Sequence, residues 1–260
     1  MSPVEPRVSV TWSDAARQIL RLTFLSDAQL PPPAVANLRR VIEAFARVGS
    51  RGGFARAGSP SHSADIRVAP DRSPSPYGIV FELETLHFDR SALQLLRNIA
   101  VSLNADVVPI AELAIDDITP NERPSVLKLE PITWGNAGRV YPAQVPALSF
   151  SVHRSEPSDY RKGRRCQIDL ARSVDAQVLG RLADSVRDWA IVVESDGFAP
   201  PVKPASEACV TVDTLGPFDD SAVEVFFTVF DVAEECWRVL HNVLEHFARK
   251  ECPVALVTID

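Results

Sequence analysis

Two histidines in one short segment are the closest approach of this sequence to a metal site. Residues 241–246 read H-N-V-L-E-H, which resembles the zinc-binding motifs H-E-x-x-H and H-x-x-E-H. Those motifs place the histidines four residues apart, on one face of a helix. A spacing of five turns the side chains about 140° apart. We therefore interpret His241 and His246 as surface residues of a helix and predict no metal site. The four cysteines form no C-x-x-C pair and are expected to be buried.

A pair of carboxylates is the next candidate for chemistry. Glu82 and Glu84 alternate on one face of a predicted strand, where two carboxyl groups could act as general acid and base. In the second half of the chain Glu224 matches Glu82, but Phe226 stands where Glu84 would be matched. This mismatch favours solvent-facing carboxylates over a catalytic pair. The sequence also lacks a G-x-S-x-G motif, and the glycine-rich residues 49–60 lack the spacing of a phosphate loop. We predict no catalytic residue and no cofactor.

An internal repeat organises the elements that would carry any site. Residues 98–116 and 242–260 align without a gap at a separation of 144 positions. The identical pairs are Asn98 with Asn242, Pro109 with Pro253, Ala111 with Ala255, Ile115 with Ile259 and Asp116 with Asp260. Matching Glu82 with Glu224 changes the separation to 142, which predicts a two-residue insertion between Asp231 and Asn242. The residues repeated identically suit strand ends, loops and helix caps, so they predict a doubled scaffold.

The repeat predicts the fold class. Each half reads β-β-α-β-β-α-β, and removing the first strand leaves the split β-α-β-β-α-β arrangement of ferredoxin-like folds. Each predicted helix has one apolar stripe, so the helices should cover one face of an antiparallel-rich sheet. We predict an α+β tandem duplication of a ferredoxin-like unit, with repeats at residues 1–118 and 148–260 joined by a proline-rich connection at 119–147. The strands at 8–12 and 19–25 are expected to form a hairpin.

The charge of the chain is unevenly distributed. The net charge is −7, and residues 151–260 account for all of it, with 19 acidic and 12 basic residues. An acidic surface repels nucleic acid and attracts basic partners. The dense basic cluster at 161–165 is interpreted as a solvated loop. Neither a long apolar segment nor a signal-peptide pattern is visible, so we expect no membrane span and a cytoplasmic location.

These observations predict a non-catalytic protein-binding module. Its most specific form is a bacterial immunity-type protein that neutralises a basic toxin through its acidic surface. A basic set rich in arginine, with four lysines, indicates a GC-rich bacterial genome. The predicted partner contacts are Asp213, Phe218, Asp219, Asp220, Glu224, Glu234 and Glu235.

Two other functions stay open at this point. A small-ligand-binding or sensing protein could hold its ligand between the two repeats, in a pocket lined by residues 52–58 or by Glu82 and Glu84. An enzyme without a recognisable motif is the third possibility. It would place its site on the surface that differs between the halves.

Overall fold

In the part of the chain that the structure describes, the protein has a mixed α+β fold with two mixed β-sheets and four helices. The computed structural model describes residues 7–13, 15–54, 66–69, 76–86, 92–99, 110–129, 148–155, 163–195, 210–229 and 234–260. The first sheet contains β1 (Arg7–Trp12), β2 (Arg17–Ser26), β3 (Ile66–Ala69), β4 (Gly78–Leu86), β5 (Ile110–Asp117) and β6 (Ser125–Val126). The second contains β7 (Ser151–Arg154), β8 (Gly163–Leu170), β9 (Val210–Pro217), β10 (Ala222–Val229) and β11 (Val254–Ile259). The helices are α1 (Pro32–Ser50), α2 (92–99), α3 (Ala176–Glu194) and α4 (Glu234–Lys250).

The predicted hairpin between the first two strands is wrong. β1 pairs in parallel with β5 and antiparallel with β6, while β2 lies between β4 and β5. Alternation of apolar and polar residues defines the two faces of a strand but does not define its neighbours. Here β5, almost a hundred residues away in sequence, is inserted between the two strands. Strand β6 lies inside the predicted connection and extends the first sheet.

The two sheets have corresponding strand orders. The first runs β3-β4-β2-β5-β1-β6, and the second, read from its other edge, runs β9-β10-β8-β11-β7. Leu22 lies opposite Phe81 in the first sheet, and Cys166 lies opposite Val225 in the second. Cys166 follows Leu22 by 144 positions, and Val225 follows Phe81 by the same number. The expected two-residue insertion is therefore not present in the strand register. The match of Glu82 with Glu224 is two residues out of step with the strands, and Phe226 occupies the position that corresponds to Glu82.

Each sheet buries one face under helices and leaves the other face outward. In β2 the side chains of Leu20, Leu22 and Phe24 are fully buried, whereas the alternate residue Arg21 is exposed. In β8, Cys166 and Ile168 are likewise buried. We call the surface opposite the helices the outer face of each sheet. Burial alternates with period two because successive side chains point to opposite sides of a strand.

The first turns of α1 and α3 have residues that suit a helix start. Helix α1 begins with prolines in its first turn, where the missing N–H groups are not needed for helical hydrogen bonds. Asp175 caps α3, and its carboxylate accepts the Val178 N–H at 2.9 Å. Apolar stripes on both helices are buried, and the two helices pack on each other.

Charged groups join α1 to α3. The carboxylate of Asp188, whose side chain is 8% exposed, accepts hydrogen bonds from Arg47 Nε at 3.0 Å and from Arg51 Nη1 at 2.5 Å. Nearby, the rings of Trp189 and Trp237 lie 5.7 Å apart, and Trp189 Nε1 donates to the Cys236 carbonyl at 3.0 Å. The buried residues of both sheets form one continuous apolar core.

An asparagine of the second half binds the backbone of the first. Asn242 Nδ2 donates to the Gly53 carbonyl at 3.1 Å, and both groups are buried. A Cβ at Gly53 would lie 2.6 Å from Val48 Cγ1 and 2.9 Å from the Val48 carbonyl. The glycine is therefore required by this close approach. Of the two repeated asparagines, Asn242 thus connects the second half to the first.

A second repeated position has a polar partner in each half. Thr11 Oγ1 donates to Asp116 Oδ1 at 3.1 Å, and Ser155 Oγ donates to Asp260 Oδ1 at 3.0 Å. The two hydroxyl residues and the two aspartates are each separated by 144 positions. Thr11 and Asp116 join the ends of the parallel strands β1 and β5, and Ser155 and Asp260 join the ends of the parallel strands β7 and β11. This contact gives a structural reason for the repeated aspartate.

Candidate functional site

The described residues contain no group of three or more His, Cys, Asp or Glu side chains placed to hold a metal ion. The prediction that His241 is a surface residue is wrong, because it is 9% exposed and its ring lies 6.3 Å from that of Phe150. His246 is partly buried, and burial and the nearby cations lower its pKa. Cys166, Cys236 and Cys252 are buried free thiols, as predicted, and Cys209 lies outside the described residues.

Glu82 and Glu84 lie on the outer face of the first sheet, and each carboxylate forms an ion pair with an arginine of β2. Arg21 Nη2 lies 2.8 Å from Glu82 Oε1, and Arg17 Nη2 lies 3.6 Å from Glu84 Oε2. Their position is on an exposed sheet surface and away from the contact between α1 and α3. Neither carboxylate therefore lines a pocket between the two halves. The small-ligand alternative stays a prediction.

A tight turn presents three of the predicted partner contacts. Phe218, Asp219 and Asp220 lie in the turn between β9 and β10 and are all exposed. The Phe218 N–H donates to the Ala222 carbonyl at 2.9 Å, which closes the turn. Asp219 Oδ1 accepts the N–H of Ser221 at 2.7 Å and its hydroxyl at 2.9 Å. These hydrogen bonds lower the pKa of Asp219, so the turn carries a fixed negative charge.

Arg165 brings two predicted contacts together. Its guanidinium carbon lies 5.5 Å from the centre of the Phe218 ring, a distance typical of a cation–π contact. Its Nε donates to Glu224 Oε1, and Nη2 donates to Gln167 Oε1. The hydrogen bonds continue from Gln167 Nε2 to Asp169 Oδ1 at 2.7 Å. The outer face of the second sheet therefore carries an ordered row of polar side chains beside an exposed aromatic ring.

Phe226 completes this arrangement on the neighbouring strand. It lies directly opposite Arg165 in the register of β10 and β8 and is 41% exposed. Phe218 is 56% exposed. We call Phe218, Phe226, Arg165 and Glu224 together the aromatic patch. Two exposed phenylalanines around one arginine are unusual on a solvated sheet face, because arginine and aromatic residues are enriched at protein interfaces.

The remaining predicted contacts are less informative. Asp213 is exposed on β9, at a bulge where the register passes from Val212 opposite Phe227 to Thr214 opposite Phe226. The side chains of Glu234 and Glu235 lie outside the described part of the structure. Sequence reasoning omitted Phe226 and Arg165 as partner contacts. The period-two pattern of β10 could have identified Phe226, because it shares a face with Glu224.

Comparison with known proteins gives no family for the chain. No family model matches it, and no curated protein matches it. The similarity to solved structures is weak, as three examples show. A Cas6 product complex is 14% identical with a TM-score of 0.21, covering 88% of this chain and 92% of its own. A mutant of the ferredoxin protease FusC with Arabidopsis ferredoxin is 8% identical with a TM-score of 0.21, covering 93% of this chain and 35% of its own.

The third structure is a mutant chlorite dismutase from Candidatus Nitrospira defluvii. It is 12% identical with a TM-score of 0.19, and the alignment covers 92% of this chain and 85% of the dismutase chain. Scores this low establish neither a shared fold nor a shared activity. In the described part of the chain, none of the helices combines the length and apolar character needed to cross a membrane.

Proposed function

We propose that the protein is a non-catalytic protein-binding module that holds a basic partner on the outer face of its second sheet. The observation that carries this proposal is the aromatic patch, where two exposed phenylalanines flank the ion pair of Arg165 and Glu224. Aromatic and arginine side chains contribute most of the energy in many protein interfaces. The exposed Asp219 and Asp220 lie in the adjoining turn, where they would attract positive charge.

The outer face of the first sheet supports this choice of surface by contrast. At the corresponding place in the first sheet, Arg21 lies opposite Glu82 and pairs with it, so the charges neutralise each other. In the second sheet Phe226 stands opposite Arg165, and the carboxylate comes from Glu224 two residues away. The arginine at this position therefore has an exposed aromatic residue opposite it in the second sheet and a carboxylate opposite it in the first.

The edge of the second sheet favours docking on the face. Strand β9 ends the sheet, and the Val212 N–H on this edge strand donates to Glu194 Oε1 of α3 at 2.8 Å. A bulge at Asp213 further interrupts this strand. Side-chain caps and bulges on edge strands oppose the addition of another strand. A partner that approaches the second sheet from the β9 side is therefore expected to contact side chains on the outer face and not to pair with β9.

The specific form of this proposal is an immunity-type protein that neutralises a basic toxin. It is tested by co-expressing the chain with the product of the adjacent gene and purifying the two together. Retention of that product by the wild-type chain, and its loss in the Phe218→Ala variant, are the expected results. Retention that is unaffected by Phe218→Ala and by Phe226→Ala would exclude the aromatic patch as the binding surface.

We further propose that the chain is a tandem duplication of a ferredoxin-like unit. The support is the matching strand order and the constant separation of 144 in the strand register. In the first sheet β4 lies between β2 and β3, and β2 lies between β4 and β5. Both β-α-β units are thus split by a strand of the other unit, as in ferredoxin-like folds. An experimental structure in which the halves superpose at a different separation would contradict this proposal.

A further inference from the structure

Arg165 occupies the surroundings that an incoming basic side chain would need. Its guanidinium group lies over the Phe218 ring, and its Nε donates to the Glu224 carboxylate. An aromatic face beside a carboxylate suits a planar guanidinium, which can stack on the ring and donate charge-assisted hydrogen bonds. The protein thus displays the chemistry of an arginine-binding site that is filled by its own arginine.

The contacts of Arg165 are of a kind that a partner can replace. The Arg165 side chain is 36% exposed, and ion pairs open to solvent contribute little to stability. Gln167 accepts a hydrogen bond from the same guanidinium, so Arg165 retains a polar neighbour if it leaves Glu224. Phe226, opposite Arg165, offers a second exposed ring for stacking. Exchange of one guanidinium for another at this place therefore requires no rearrangement of the sheet.

We propose that the aromatic patch is an arginine-recognition site and that Arg165 is an internal competitor which an arginine of the partner displaces. This inference rests on the proposed function and narrows the basic partner to one that presents arginine at its interface. Lysine is a poorer occupant, because its ammonium group is a compact, strongly hydrated charge that does not stack. Arg165 therefore lowers the affinity for the partner. It also raises the selectivity for arginine over cations that do not stack on an aromatic ring, such as lysine.

The test uses two acetylated peptides, Gly-Arg-Gly-Arg-Gly-Arg and Gly-Lys-Gly-Lys-Gly-Lys, titrated into the full chain and followed by calorimetry. We expect the wild-type chain to bind the arginine peptide about threefold more tightly than the lysine peptide. The Arg165→Ala variant should bind the arginine peptide about fivefold more tightly than wild type, because Phe218 and Glu224 are released. Adding Phe218→Ala to that variant should remove the gain.

Arg21→Ala is the matched control. Arg21 pairs with Glu82 at the corresponding position of the first sheet, where the opposite residue is a carboxylate and not an aromatic ring. This variant removes the same charge, so an equal gain in both variants would show a general electrostatic effect and overturn the proposal. An unchanged or weaker affinity in Arg165→Ala would also overturn it. Arg165→Lys keeps the charge and should give a smaller gain, and thermal unfolding confirms that each variant is folded.

The outcomes separate this inference from the proposed function. If patch variants abolish capture of the natural partner but Arg165→Ala does not gain affinity for the arginine peptide, Arg165 is not an internal competitor. The aromatic patch then stands as the protein-binding surface. If Arg165→Ala gains arginine affinity but patch variants leave capture unchanged, the arginine site stands and the aromatic patch is excluded as the surface that holds the natural partner.

Discussion

The outer faces of the two sheets share a framework and differ in chemistry. Arg21 and Arg165 occupy corresponding positions in β2 and β8, and each forms an ion pair with a glutamate of the neighbouring strand. On the first sheet the glutamate lies directly opposite the arginine. On the second sheet a phenylalanine lies opposite, and Glu224 reaches the arginine diagonally. The comparison indicates that a shift of the carboxylate by two residues leaves room for an exposed aromatic ring without loss of the ion pair.

The largest expected effect comes from making the second face resemble the first. Phe226→Glu places a carboxylate opposite Arg165, as Glu82 lies opposite Arg21. We expect partner affinity to fall by about 2 kcal/mol, roughly 30-fold, because an aromatic contact in an interface is replaced by a solvated charge. Affinity measured by calorimetry checks this result, and Glu82→Gln, on the first sheet, is the control that should leave affinity unchanged. Equal losses in the two variants would show that the faces do not differ in function.

A buried carboxylate of the first sheet should control part of the acid sensitivity. Burial would raise the pKa of Asp117, but hydrogen bonds from Ser13 and Thr119 outweigh it and lower the pKa below 3.8, its ordinary value. The charged form therefore stabilises the fold above that value, and this contribution is lost as the pH falls through the lower, folded-state pKa. Asp117→Asn should cost about 1.5 kcal/mol at neutral pH.

Urea unfolding at several pH values measures this effect. The stabilities of wild type and Asp117→Asn should begin to converge as the pH falls below 3.8, and they should meet once the pH has passed the lower, folded-state pKa, where the wild-type carboxylate is also protonated. A stability difference that stays constant down to pH 2 would contradict the assigned hydrogen bonds. Patch variants such as Phe218→Ala provide the contrast, because they should leave the pH dependence of unfolding unchanged.

The two hydroxyl–aspartate pairs should differ in strength despite their equal positions. Thr11 Oγ1 donates to Asp116 and also accepts the Asp117 N–H at 3.2 Å, whereas the contact of Ser155 with Asp260 is exposed. We expect Thr11→Val to cost about 1 kcal/mol and Ser155→Ala to cost about 0.3 kcal/mol or less. Thermal unfolding compares them directly. A larger cost for Ser155→Ala would mean that the second pair is the more important one.

The smallest effect concerns the rate of partner association. Asp219→Lys reverses one exposed charge in the turn beside the aromatic patch and should slow association about threefold at low salt. The difference should shrink at 0.5 M salt, because screening shortens the range of the interaction. Stopped-flow mixing measures the rate. Glu84→Lys reverses an exposed charge on the first sheet and should change the rate less, and equal slowing by both would point to net charge alone.

Local patterns in the sequence predict the elements well. The strand at 19–25 is confirmed, because alternation depends only on neighbouring residues. The prolines that open α1 and the Asp175 cap of α3 are local signals of the same kind. The position of β5 between β1 and β2 could not be predicted in this way. Pairing between distant strands depends on packing that no local window contains.

The candidate site was only partly accessible to sequence reasoning. Phe218 and the adjoining aspartates could be found, because a turn between two strands is exposed. Arg165 was missed because the cluster at 161–165 reads as a solvated basic loop, whereas β8 begins at Gly163. Its contact with Phe218 joins residues more than fifty positions apart. Such a contact is determined by tertiary structure and leaves no local pattern.

The contact between α1 and α3 has a consequence for unfolding. Asp188 is held by two arginines of the other half, Asn242 binds the Gly53 carbonyl, and one apolar core runs through both sheets. Loss of either sheet would therefore expose apolar surface and an unpaired charge on the other. We expect denaturant to unfold both sheets in a single cooperative transition, with an m-value appropriate to all 260 residues and not to half of them.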